Sequence, residues 1–146
     1  MKWSRTGQRS DRRCRSRTIP VRIELLEERN LLATLTVVNI ADSGVGSLRA
    51  AIEQANLDPA SDVINFDSSV SGTIALSSPL PDLGTAITLT GPGASTLKVA
   101  RPVDLPGVGF GIFNVPGGAE VRISGLTIAD GVGSRGGGIA NAGSLT

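Results

Sequence analysis

Glu120 to Thr146, EVRISGLTIADGVGSRGGGIANAGSLT, alternates short apolar-polar runs with glycine turns. Val121 with Ile123, and Leu126 with Ile128, are two pairs at the two-residue period of a strand. Gly125 stands between the pairs and lets the chain set off in a new direction. The stretch reads as one coil of a parallel β-solenoid, with a corner at Gly125.

A solenoid is recognised by self-similarity, and an earlier copy of the phrase is present. Ile87-Thr88-Leu89-Thr90-Gly91 matches Val121-Arg122-Ile123-Ser124-Gly125, and Leu97 with Val99 matches Leu126 with Ile128. A third element is expected before each pair: Thr73 to Leu76, then Gly111 to Val115, with Gly138 to Ala140 opening a further coil. Turns are expected at Pro79 to Gly84, Gly91 to Gly93, Pro116 to Gly118 and Gly131 to Gly138. Their unequal lengths fit a solenoid, in which insertions enter loops and leave strands in register.

The composition agrees. A chain of 146 residues with 19 glycines, eight prolines, three Phe, one Trp and no Tyr suits turn-rich β structure built from small and branched side chains. It is long enough for one domain. No run approaches ~18 apolar residues, so no membrane-spanning helix is expected. The chain has no histidine, which excludes a Ser-His-Asp triad and removes the commonest metal ligand.

A net charge of +1 conceals an asymmetry. Met1 to Arg22 carries eight Lys or Arg against Asp11, whereas the remainder carries six basic and twelve acidic side chains. The opening segment has little apolar surface to offset ordering entropy, so disorder is expected there. It can be read as the n-region of a targeting signal, as an upstream stretch without a role, or as a nucleic-acid arm. The first is preferred, and nucleic acid is not expected as a partner, because no aromatic residue interleaves the arginines. Val21 to Ala33 then forms a short amphipathic helix in this reading, with Leu25, Leu26 and Leu32 on one stripe. Residues 1–33 are thus taken as a basic targeting segment, and 34–146 as the solenoid.

Within the second unit, Leu35 to Ile40 reads as a strand and Ser43 to Asn56 as a turn followed by a helix. Ser47 is the expected N-cap, Leu48, Ala51, Ile52 and Ala55 form the apolar stripe, and Asn56 with Pro59 ends it. The first coil of a solenoid exposes strand edges and an open core, so this helix is expected to cap it. Asp62 to Phe66 is the expected strand leading into the first full coil.

Two phrases carry a resemblance. Leu26-Glu27-Glu28-Arg29-Asn30-Leu31-Leu32-Ala33 resembles the LExR-x-LLA boundary near the start of many large bacterial surface and secreted proteins, which implies export. Val38-Asn39-Ile40-Ala41-Asp42-Ser43-Gly44-Val45-Gly46-Ser47-Leu48-Arg49-Ala50-Ala51-Ile52 with Ala55-Asn56 resembles the entry segment of bacterial right-handed parallel β-helix surface proteins, the group that includes CSLREA-domain proteins. The phrases GTIAL, ITLTGPG, ISGLTIADG and GGGIANAG resemble that family's coils. Gly46 and Ala50 stand where the signature has Cys and Glu, so a role tied to those side chains does not carry over. Family members are longer, with many coils.

The expected fold is all-β: a right-handed parallel β-helix fragment of about two to two and a half coils, capped by the helix. Its expected core comprises Leu48, Ile52, Ile74, Leu76, Ile87, Leu89, Leu97, Val99, Val121, Ile123, Leu126 and Ile128.

No catalytic, cofactor-binding or metal-ligating residue and no cofactor is assigned. Gly131-Val132-Gly133-Ser134-Arg135-Gly136 fits G-x-G-x-x-G, but GGIANAG follows and cannot open a helix toward a pyrophosphate. It is read as a loop between coils. Asp62, Asp67, Asp82, Asp104 and Asp130 are read as turn residues rather than ligands, and the regularly placed Asp of calcium-binding coils is missing. Asn114 and Asn141 form either a stacked ladder or two isolated turns. Cys14 has no internal partner, and Arg49 is read as a solvated or snorkelling side chain.

The expectation for function is a non-enzymatic, adhesin-like module of a secreted or cell-surface protein, with surface polysaccharide or another protein as partner. The alternatives are a pectate-lyase-like polysaccharide enzyme and a nucleic-acid binder acting through the basic tail. Leu145 takes the place that Ile87 and Val121 hold in earlier coils. From this, a truncated product that self-associates through its open last coil is expected.

Overall fold

The two repeats lie directly on one another, Ile87 beside Val121 and Leu89 beside Ile123, in parallel register. They belong to a computed structural model that describes residues 32–104, 107 and 109–146. The expected helix within 21–33, the basic segment and Cys14 lie outside the described residues, apart from Leu32 and Ala33. Among the described residues the elements are β1 (Thr34–Val37), α1 (Leu48–Ala55), β2 (Asp62–Phe66), β3 (Gly72–Ala75), β4 (Ile87–Thr90) and β5 (Leu97–Ala100), followed by β6 (Phe113–Val115), β7 (Glu120–Ser124), β8 (Thr127–Ala129), β9 (Ile139–Asn141) and β10 (Ser144–Leu145).

Every strand pairing is parallel, and each strand lies beside its counterpart one turn away. The first sheet runs β1-β2-β4-β7-β10, the second β3-β5-β8 and the third β6-β9. The chain is a β-solenoid of about four turns with little helix.

Four turns correct the expectation of two to two and a half. Leu35 lies opposite Ile64, and Ile64 opposite Leu89, so β1 and β2 already belong to the stack. The strand expected over Leu35 to Ile40 ends at Val37, because the Val38 N–H turns aside to donate to the Gly46 carbonyl at 2.9 Å. Gly46 has φ +76°, and a Cβ there would collide with the Val38 side chain. Glycine at this position therefore meets a steric and conformational need.

The third element of the first coil is also corrected. Thr73 to Leu76 does not stack under Gly111 to Val115. Gly72–Ala75 instead pairs with Leu97–Ala100, Ile74 opposite Val99, on the second face. On the third face of that turn lies the irregular segment Pro79 to Leu83, joined to the next turn where the Leu83 N–H donates to the Asn114 carbonyl at 2.9 Å. Pro79 and Pro81 have no N–H to give a ladder, so the face is followed without a strand.

Inward side chains stack turn upon turn. Leu48, Ile52, Ile74, Leu76, Ile87, Leu89, Leu97, Val99 and Val121 are buried as expected, together with Val37, Ile64, Leu83, Ile112, Phe113 and Val115. Ile123, Leu126 and Ile128, expected in the core, are half-buried and pack against it. They sit on the turn over which β10 alone is stacked, and β10 follows β7 without reaching β8.

The corner between the first and second faces is made by stacked backbone. A Cβ on Gly91 would meet the Gly125 carbonyl and one on Gly125 the Gly91 carbonyl, while the Gly93 N–H donates to the Gly125 carbonyl at 2.8 Å. Gly125 also needs φ +67°. The glycines that mark the repeat are there because two chains turn in contact.

Candidate functional site

Helix α1 begins where Ser47, in extended conformation, accepts the Ala50 N–H at 3.2 Å and donates its own hydroxyl to the Gly44 carbonyl at 2.7 Å. The cap leaves Leu48, Ala51, Ile52 and Ala55 facing the core, where the helix packs on β1 and β2. Arg49 and Asn56, two turns apart, reach another part of the chain.

Arg49 is a clamp, not the solvated side chain expected. Its Nη2 contacts Asp42 Oδ1 at 2.7 Å and the Ser78 carbonyl at 3.0 Å, its Nη1 donates to the Pro79 carbonyl at 2.5 Å, and its Nε donates to the Asp42 carbonyl at 3.0 Å. The second oxygen of Asp42 accepts the Ser77 hydroxyl and, at 3.3 Å, the Ser77 N–H. Exposures of 14% for Arg49 and 21% for Asp42 make this a partly desolvated pair. Burial alone would raise the Asp42 carboxyl, but hydrogen bonds from Ser77 and Arg49 and the guanidinium charge outweigh it and hold the group below its ordinary value.

At the other end of α1, Asn56 donates to the Asp82 carbonyl at 2.8 Å and accepts the Gly84 N–H at 3.1 Å. The helix is thus tied at both ends to the proline segment of the third face. Ser77 beside Asp42 superficially pairs a hydroxyl with a base. A carboxylate held low is a weak base, and a guanidinium neither takes nor releases a proton. This arrangement holds backbone in place.

The other polar feature is on the outside of the first sheet. Along its strands the side chains alternate, and the outward rows are Thr34, Val63, Thr88 and Arg122, then Thr36, Asn65, Thr90 and Ser124. At the start of the strands an open trough of about 350 Å³ crosses β4, β7 and β10 and is lined by Ser61, Thr88, Glu120, Arg122, Ser144 and Thr146. A second depression, about 250 Å³, lies against the third face near Asp82, Asn114 and Arg135.

The residues singled out in the sequence are dispersed. Asp62 is buried and accepts the Ala33 N–H at 3.1 Å. Asp67 accepts the Ser69 hydroxyl at 2.6 Å and the Ser69 N–H at 2.9 Å, bonds that lower its carboxyl. Asp82 accepts from Asn114 at 2.8 Å, the Asp130 carbonyl accepts from Arg101 at 3.2 Å, and Asp104 lies in a turn. Asn114 lies opposite Ala140, not Asn141, which closes a local turn onto the Gly143 N–H at 3.0 Å, so no asparagine ladder forms. The glycine run 131–138 joins β8 to β9. The clamp was missed because its acceptors are mostly backbone carbonyls. The trough left a trace in the ITLT and VRIS runs, whose outward residues are polar.

Neither the family models, the curated proteins nor the solved structures compared with this chain give a match.

Proposed function

We propose that the chain is a non-enzymatic, exported surface module: a right-handed parallel β-helix of an adhesin-like protein, with α1 capping its first coil. The observation that carries the reading is how the most connected polar cluster is used. Asp42, Arg49 and Ser77 spend their hydrogen bonds on fastening α1 to the turn below, which leaves the sheet faces as the surfaces a partner can meet. The capping role is supported by the buried stripe of α1 against β1 and β2. Right-handed winding is the hand that parallel crossovers take. Export is supported by the LEERNLLA phrase.

The pectate-lyase-like alternative needs several carboxylate side chains gathered beside an Arg or Lys. The trough contains one, Glu120. Among the described residues no helix is long and apolar enough to cross a membrane. The test is expression of the chain in a bacterial host with a carboxy-terminal epitope. The epitope is expected in the medium or open to protease on intact cells, and to be retained inside when residues 1–33 are deleted. Full-length chain found only in the cytosol overturns the reading.

A further inference from the structure

We infer that the trough on the first sheet is a binding site for a neutral, unbranched polysaccharide lying along the solenoid axis. The trough runs across parallel strands, which repeat every ~4.8 Å. Ser61 lies just before β2, Thr88 on β4, Glu120 and Arg122 on β7, and Ser144 and Thr146 on or beside β10. From β2 to β10 the trough therefore spans about 14 Å. A ligand with similar groups at regular intervals meets similar groups at each strand.

The chemistry of the lining selects among polymers. Four of the six polar residues are hydroxyls, which donate and accept alike, as the hydroxyls of a sugar do. Glu120 and Arg122 supply one acceptor-only and one donor-only group, and their charges cancel. Neither makes a side-chain hydrogen bond or ion pair with another described residue. A trough whose side-chain charges cancel matches a neutral chain and gives a polyanion such as nucleic acid no cluster of phosphate contacts. No aromatic side chain lines it for base stacking. A peptide strand cannot pair along the trough, because the backbone of β2, β4 and β7 is paired on both sides and only β10, at one end of the trough, offers an edge. A polyhydroxylated neutral chain is the ligand that remains.

This names a partner class for the surface-module reading and rests on it only for where the polymer is met, so export and binding can fail separately. The experiment is calorimetric titration of the full chain with cellohexaose, and with cellobiose and cellotetraose for length dependence. Saturable binding is expected, strengthening from the disaccharide to the tetrasaccharide and then levelling. Thr88→Val and Arg122→Ala should each weaken it by about tenfold, with thermal unfolding unchanged because both side chains point outward. Glu120→Gln serves as a third, isosteric variant. No heat at about 10 mM hexasaccharide, or binding that all three variants leave intact, overturns the inference. So does uptake of only an acidic polymer, polygalacturonate, that disappears at high salt.

Discussion

Arg49 does with one side chain what a solenoid otherwise does with a ladder: it joins a turn to the next element through several bonds at once. Replacing it by alanine leaves the Asp42 carboxylate and the Ser78 and Pro79 carbonyls without those donors. Arg49→Ala is expected to cost about 2 kcal/mol, read as a lower urea midpoint. Arg49→Lys should recover only part, since an ammonium cannot reproduce the fork. Asp42 adds a pH dependence. Its folded carboxyl is held below the ordinary 3.8, so the stabilisation is complete above that value and is lost as pH falls through the lower folded value. Asp67 shifts in the same direction. In Asp42→Asn the fall in stability below pH ~4 should therefore be shallower, not absent; an unchanged acid limb in denaturant titrations would refute the role given to Asp42. None of this was legible beforehand. Asp42 lies only seven residues from Arg49, but the Ser78 and Pro79 acceptors lie 29 and 30 residues away, and they are carbonyls, which every residue has and no motif marks.

At the scale of the element, corners are read more easily than faces. The phrases ending in Gly91 and Gly125 were recognisable because two backbones in contact admit no Cβ, a demand that writes glycine into both copies. Gly125→Ala combines that collision with φ +67°. It should destabilise by more than the ~1 kcal/mol of an ordinary glycine replacement, lowering the thermal midpoint, whereas alanine at Gly118, where a Cβ meets nothing, should carry only the conformational cost. Faces are harder. Alternation in Thr73 to Leu76 says which side chains point inward, but the same pattern serves any side of the coil, so it does not distinguish the third face from the second, where the strand lies. Helix α1 was legible because Ser47, the apolar stripe and Asn56 all agree on its limits.

For the whole molecule, each turn touches only its neighbours, so the effect of a core change depends on its place in the stack. Leu89 is fully buried between Ile64 and Ile123, whereas Ile123 is half-buried. Leu89→Ala is expected to cost about 2–5 kcal/mol and Ile123→Ala clearly less, with hydrogen exchange accelerated first in β4 and its neighbours. Equal losses at the two positions would contradict this order. The number of turns is hard to read from sequence because Val63 to Phe66 carries no corner glycine, and without that mark β1 and β2 do not look like members of the repeat.

The tie between α1 and the proline segment bears on mechanical load. Parallel turns stacked by ladders can be peeled one strand at a time by a pull along the axis. Arg49 and Asn56 grip carbonyls and an N–H spread over Ser78 to Gly84, so a pull delivered through the segment before β2 is divided over several bonds strained together. The helix works as a hasp, and the first turn resists traction as a unit.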